Sequence, residues 1–220
     1  LNPEDFWQTL QPAQPAAAPG HRDRYPARFD DGRVLHLPIR PLPDGRRALA
    51  SLIINQASFS VLDAIATDLA AKLGAVQPAI LVGLPTLGLT LAAAVARKLG
   101  HARYVPLGTS RKFWYREDYS VPLSSITTPD QSKRLYVDPR MLPLLQNQRV
   151  VLVDDVISSG ASMAAGIAVL AAIGVEPAAL GVAMIQSDAW RARLDPAWPP
   201  RLASVLQSPI LTWTGTGWAG

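Results

Sequence analysis

Val150-Val-Leu-Val-Asp-Asp-Val-Ile-Ser-Ser-Gly-Ala-Ser162 is the stretch on which the reading of this chain turns. Its first four residues are Val or Leu without polar alternation, the pattern of a strand covered on both faces. Two adjacent carboxylates, Asp154 and Asp155, end the apolar run. Burying charge is costly, so two acids at the mouth of a buried strand call for a partner, either hydroxyls or a metal ion. Residues 157–162 then wrap toward a helix start, and Gly160 permits a backbone conformation that side chains resist. Successive N–H groups at a helix N-terminus form an anion site, to which the hydroxyls of Ser158, Ser159 and Ser162 add donors. The loop suits a phosphate and the acids suit hydroxyls or a metal, so a ribose 5-phosphate satisfies both. Another kind of mononucleotide site, or an aspartate cap before a serine-rich turn, is the alternative. The Walker pattern Gly-x-x-x-x-Gly-Lys and the dinucleotide fingerprint Gly-x-Gly-x-x-Gly are both absent from this stretch.

Outward from this stretch the chain alternates strand and helix. Short apolar strands are expected at 79–82, 102–105, 149–153 and 178–185, and helices at 58–72, 89–99 and 161–173, stopped by Gly74, Gly100 and Gly174. Val61, Ile65, Leu69 and Leu73 recur every four residues along the first helix. The alternation predicts an α/β fold, a doubly wound and mainly parallel sheet. Ligands in such sheets sit beyond the carboxyl ends of the strands, where the loops 83–88, 107–136 and 154–160 lie. Before this core, residues 1–49 read as a Pro- and Ala-rich arm followed by a hairpin, with strands at 34–39 and 47–54 joined through Pro41-Leu-Pro-Asp-Gly45. Residues 139–146 read as a short helical connector. After the core at 50–186, residues 187–220 carry Trp190, Trp198, Trp213 and Trp218 among prolines and read as an irregular hood.

Composition narrows the chemistry. The 220 residues are 49% apolar, which favours a folded core over disorder. There is no cysteine, so disulfides, thiolate metal sites and cysteine nucleophiles are excluded, and a cytoplasmic location is compatible with that usage. No apolar run reaches membrane-spanning length, so no membrane partner is expected. The net charge is +4, and residues 100–149, with eight basic and four acidic side chains, match the whole excess. Such a concentration attracts phosphates of any kind. No zinc-finger, paired-helix or aromatic RNA-binding signature accompanies it, so nucleic acid is not the expected partner.

The segment 151–162 resembles the signature of the type I phosphoribosyltransferases, and the resemblance extends over about residues 50–186. It implies 5-phosphoribosyl 1-pyrophosphate with Mg²⁺ as substrate. Asp154 and Asp155 would then hold the ribose hydroxyls and the metal, while Ile157, Ser158, Ser159, Gly160, Ala161 and Ser162 would take the 5′-phosphate. Val82-Gly-Leu-Pro-Thr-Leu-Gly-Leu-Thr-Leu-Ala92 is similar to the family's pyrophosphate loop, which puts the backbone of Leu84, Pro85, Thr86 and Leu87 at the pyrophosphate. Many members have Arg where this chain has Leu87, so one cation is missing. Val105-Pro-Leu-Gly-Thr-Ser-Arg-Lys-Phe-Trp-Tyr115 resembles the strand, Arg-Lys pair and mobile loop of the adenine-type branch. It implies catalytic roles for Arg111 and Lys112, which could reach pyrophosphate across a homodimer interface, and a second cation from Lys133 or Arg134.

The resemblance implies transfer of the phosphoribosyl group to a nucleobase, with pyrophosphate leaving and no covalent nucleophile. Hypoxanthine- and guanine-specific members place an acid where this chain has Ser158, which disfavours that class. Adenine- and xanthine-like purines remain open, as does an orotate-like reaction, and the Arg-Lys pair favours a purine. Trp190 follows the last core strand and could stack on the base or pack within the hood. A relative that senses the phosphoribosyl substrate without turning it over is the non-enzymatic alternative. His21, His36 and His101 lack partners at triad or metal spacing.

Overall fold

The computed structural model describes residues 2–13, 20–123 and 133–220. Its centre is a five-stranded parallel sheet in the order β10-β9-β8-β4-β5. These strands are Leu202–Ser208 (β10), Ala179–Gln186 (β9), Val150–Ile157 (β8), Ile80–Gly83 (β4) and Val105–Pro106 (β5). Helices Phe59–Gly74 (α1) and Leu87–Lys98 (α2) lie on one face. Helix Ala161–Ala171 (α3) lies on the other, with the hairpin Ser120–Leu123 (β6) and Lys133–Tyr136 (β7) beside it. The expected doubly wound sheet is therefore present. Each helix is placed by its apolar spacing: Val61, Ile65, Leu69 and Leu73 of α1 are all buried, and the Ser58 hydroxyl caps that helix by accepting from the Val61 N–H at 3.3 Å.

A second, antiparallel sheet has the order β1-β2-β3-β11-β12, from Arg24–Arg28 (β1), Val34–Pro41 (β2), Arg47–Ala50 (β3), Leu211–Trp213 (β11) and Trp218–Ala219 (β12). The β2–β3 hairpin is where the turn residues put it, with Ile39 opposite Ala50. The structure departs from the sequence reading at both ends of the chain. Residues 24–28, expected in an irregular arm, pair along their whole length with β2. Phe6 and Trp7 are buried in the main core, where the Trp7 indole N–H donates to the Ser51 carbonyl at 3.0 Å. The hood segment is built into both sheets. It supplies β10 to the parallel sheet and β11 and β12 to the antiparallel one, so the two sheets share its chain. Alternation within β10 is weak because this edge strand is part-exposed, which hides it from periodicity.

Two smaller corrections concern lengths. The second hairpin strand, expected to reach 54, ends at Ala50 where its pairing with β2 ends, and a 3₁₀ turn at Ile54–Gln56 precedes α1. The connector at 139–146 is a 3₁₀ helix over Pro139–Leu144, which begins behind the Asp138 cap. Of the mobile loop expected near 113–134, residues 124–132 lie outside the described residues.

Candidate active site

The sheet order fixes where the site lies. From β4 the chain goes through α2 outward to β5, whereas from β8 it goes through α3 the other way to β9. The connections therefore diverge between β4 and β8, and the crevice at the carboxyl ends of those two strands is the switch point where open α/β sheets bind ligands. The segments 84–86 and 154–160 flank it.

The acids stand differently from the sequence expectation. β8 does not end at Val153; it runs through Asp154 and Asp155 to Ile157. The reason is one-sided pairing. β4 stops opposite Val153, but β9 continues alongside, with Asp154 opposite Val182 and Ile157 opposite Ile185. Both carboxylates are thus held on a rigid strand at the notch that β4 leaves. Asp154 is only 7% exposed, and its Oδ1 accepts the Asp155 backbone N–H at 2.9 Å. Burial pushes the Asp154 carboxyl well above its ordinary range, and the neighbouring Asp155 charge adds to the push. Asp155 is raised too, again by burial. Both groups are poised to gain from a cation or hydroxyl donors.

Gly88, in the first turn of α2, makes this burial possible. A Cβ there would lie 2.8 Å from both the Asp154 Cα and its Oδ1, so only glycine lets the helix start this close to the acid. Leu84 is buried, Pro85 and Leu87 are half-buried and Thr86 is exposed, and the Pro85–Thr86 peptide bond is cis. Leu87 packs against the main core, which accounts for an apolar residue at this position.

The loop after β8 turns through Gly160, whose φ of 77° lies in the left-handed region. Gly160 is the N-cap of α3, and no side chain caps that helix there. The Ala161 N–H donates to the Ser159 hydroxyl at 3.4 Å, and the N–H groups of Ser162 and Met163 are the first-turn donors that a ligand can meet. A hollow of about 130 Å³ is lined by Asp154 and residues 156–163. Ser158 and Ser159 are half-buried along it and Ser162 is exposed. Trp190 does not present a face for a base. It is 1% exposed, and its Cα and Cβ back directly onto Gly160, 3.2 and 3.1 Å from where a Cβ would be. Trp190 is the wall behind the loop, which is the packing alternative.

A second hollow of about 200 Å³ adjoins Asp155 and Val156 under the β2–β3 hairpin. Arg40, Leu49, Ser51 and Leu52 line it from the hairpin side, Met184 and Gln186 from β9. Buried Gln186 donates from Nε2 to the Ala50 carbonyl at 2.9 Å and so ties the end of β9 to β3. Neither Arg40 nor Gln186 was picked out from the sequence. The one available signal was a polar residue directly after the apolar run 178–185.

Arg111 and Lys112 lie on the loop that follows β5, and Lys133 and Arg134 open β7. Arg111, Lys112 and Lys133 are exposed. Arg111 faces Glu117 at 3.4 Å, and Arg134 meets the same carboxylate at 3.0 Å. Phe113 is 97% exposed. Among the described residues no group of three or more His, Cys, Asp or Glu could hold a metal by itself, and no helix is long and apolar enough to cross a membrane.

The fold has known relatives. Residues 50–200 match the family model described as the phosphoribosyl transferase domain. The adenine phosphoribosyltransferase of Frankia alni is 30% identical over 174 residues, covering 76% of this chain and 85% of that protein. Among solved structures, the Giardia lamblia adenine phosphoribosyltransferase complexed with 9-deazaadenine superposes with a TM-score of 0.62 at 23% identity, over 78% of this chain and 93% of that one. The enzyme from Thermoanaerobacter pseudethanolicus gives 0.60 at 16% identity, over 78% and 95%. At these identities the structural matches speak for the fold.

Proposed function

The chain belongs to the phosphoribosyl transferase domain family, and from that premise we propose that it transfers a 5-phosphoribosyl group from phosphoribosyl pyrophosphate to a ring nitrogen of a purine base, releasing pyrophosphate. The carrying observation is the switch-point crevice in which the buried Asp154 and the part-buried Asp155 adjoin the N-terminus of α3. In this reading the α3 N-terminus and Ser158, Ser159 and Ser162 hold the 5′-phosphate. Asp154 and Asp155 accept from the ribose hydroxyls, and their charge favours the oxocarbenium character that develops at the anomeric carbon. The backbone of 84–87 and the cations Arg111, Lys112 and Lys133 face the pyrophosphate. The base stands in the hollow beneath the hairpin, beside Asp155. A purine matches the relative from Frankia alni, an adenine phosphoribosyltransferase by name.

The acid pair also suits Mg²⁺. Two adjacent carboxylates, with no third His, Cys, Asp or Glu grouped with them among the described residues, match an ion that keeps water and substrate oxygens in its shell. When bound it supplies charge neutralisation on the pyrophosphate. A homodimer forms part of the same proposal, supported by the exposed Phe113 and Trp114 beside the Arg-Lys pair. A reducing cytoplasm suits the cysteine-free composition.

The test is incubation with phosphoribosyl pyrophosphate, Mg²⁺ and single bases, measuring nucleotide and pyrophosphate. Turnover is expected with at least one purine. Binding of the sugar substrate without turnover on adenine, xanthine, hypoxanthine, guanine, orotate or uracil would replace the enzyme with a sensor.

A further inference from the structure

The charged groups around the basic loop pair off unevenly. Arg116 is held by its neighbour Asp118 at 2.6 Å and lies over the Tyr119 ring. Arg140 is held by Asp138 at 3.0 Å. Both are local pairs, two residues apart. Glu117 is different: its Oε2 faces Arg111 across the loop at 3.4 Å, and its Oε1 meets Arg134 of β7 at 3.0 Å. Arg134 is fixed independently, donating from Nε to the Ser120 hydroxyl at 2.9 Å and from Nη2 to the Ser120 carbonyl at 3.1 Å. The Ser120 hydroxyl in turn donates to the Glu117 carbonyl at 2.7 Å, which ties the backbone beside the carboxylate to the same arginine. One carboxylate thus serves two guanidinium groups and leaves a net positive charge. Glu117 and Arg111 are 55% and 60% exposed, so their attraction is weakened by water. A polyanion outbids a single, solvated carboxylate for two guanidiniums, because it brings more charge and more acceptor oxygens.

We propose that Glu117 is a resident counter-ion that pairs with Arg111 and Arg134 and must be displaced by pyrophosphate. This rests on the phosphoribosyl reading above and adds a positioning residue to it. Glu117 touches neither substrate nor reacting atoms. It makes the leaving group compete for its own arginine, which weakens retention of pyrophosphate after transfer and so favours its release.

The test is calorimetric titration of magnesium pyrophosphate into the full chain and into Glu117→Gln, Arg111→Gln and the double variant. Glu117→Gln should bind roughly two- to fivefold tighter, the range set by an exposed ion pair. The gain should shrink as salt rises. In the Arg111→Gln background the same change should bring less, a non-additivity that reads the pair directly. In steady state, Glu117→Gln should lower KM for phosphoribosyl pyrophosphate and strengthen product inhibition by pyrophosphate, without raising kcat. A purely structural role predicts the opposite sign, weaker binding with a lowered thermal midpoint. Equal or weaker pyrophosphate binding by Glu117→Gln would overturn the proposal. Failure of the unaltered chain to bind pyrophosphate would instead strike the phosphoribosyl reading, and the counter-ion role with it.

Discussion

Asp154 shows at the scale of one residue how function is set against stability. Its carboxyl is raised well above its ordinary value of 3.8, first by burial and then by Asp155. For a carboxyl raised by folding, the two states hold the proton equally below the unfolded value. Above it the unfolded chain releases its proton first, so stability falls as pH rises through the interval up to the folded value, and the loss then stays constant. Asp154→Asn removes that loss and keeps an oxygen able to accept from the Asp155 N–H, the bond now made by Asp154 Oδ1. The variant should therefore melt higher than the parent at about pH 7, with the advantage vanishing as pH falls toward 3.8. Thermal midpoints across that range check the sign. Asp154→Asn combined with Asp155→Asn should lose most of its affinity for the sugar phosphate by calorimetry while remaining folded. The acids were legible in the sequence. The burial of Asp154 was not, because it depends on Gly88, which reaches Asp154 only through the packing of α2 on β8.

At the scale of elements, the contacts that complete the site are made between units remote in sequence. The β2–β3 hairpin roofs the hollow beside Asp155, and Gln186 at the end of β9 holds it there through the Ala50 carbonyl, 136 residues away. Gln186→Leu removes the donor from a buried carbonyl, at a cost of about 1–3 kcal/mol. It should also raise KM for the base more than KM for phosphoribosyl pyrophosphate, because the roof is loosened and the phosphate loop is not. Steady-state kinetics with each substrate varied separates the two. Trp190 teaches a related point about α3. From sequence an aromatic residue after the last predicted strand could stack on a base or pack, and the alternatives are equivalent in one dimension. The left-handed Gly160 and the Trp190 backbone against it decide for packing.

At the scale of the molecule, the crevice lies where chain connections diverge, and the Mg²⁺ proposed for it would meet no group of three or more His, Cys, Asp or Glu among the described residues. The ion is accordingly expected to arrive with the substrate rather than to support the fold. A chelator should abolish transfer, and added Mg²⁺ should restore it. The thermal midpoint of the ligand-free chain should be the same in both conditions, and a drop on chelation would show a structural ion instead. The joining of the two sheets through the 187–220 segment belongs to this scale as well. Without the 187–220 segment, β9 would lack its outer neighbour β10.

The sequence by itself determined the α/β alternation, the β2–β3 hairpin, the acid pair with its hydroxyl-rich loop, and the class of ligand these call for. Those features are local: periodicity, turn residues and the cost of burying charge act within a few residues of one another. Only the tertiary structure decided that β8 carries the acids inside the strand, that β10 to β12 knit the chain's end into both sheets, that Trp190 is a wall, and that Glu117 sits between two arginines. Each of these depends on which strand or helix becomes a neighbour across the fold. That is settled by strand order and packing, to which no window of sequence gives access.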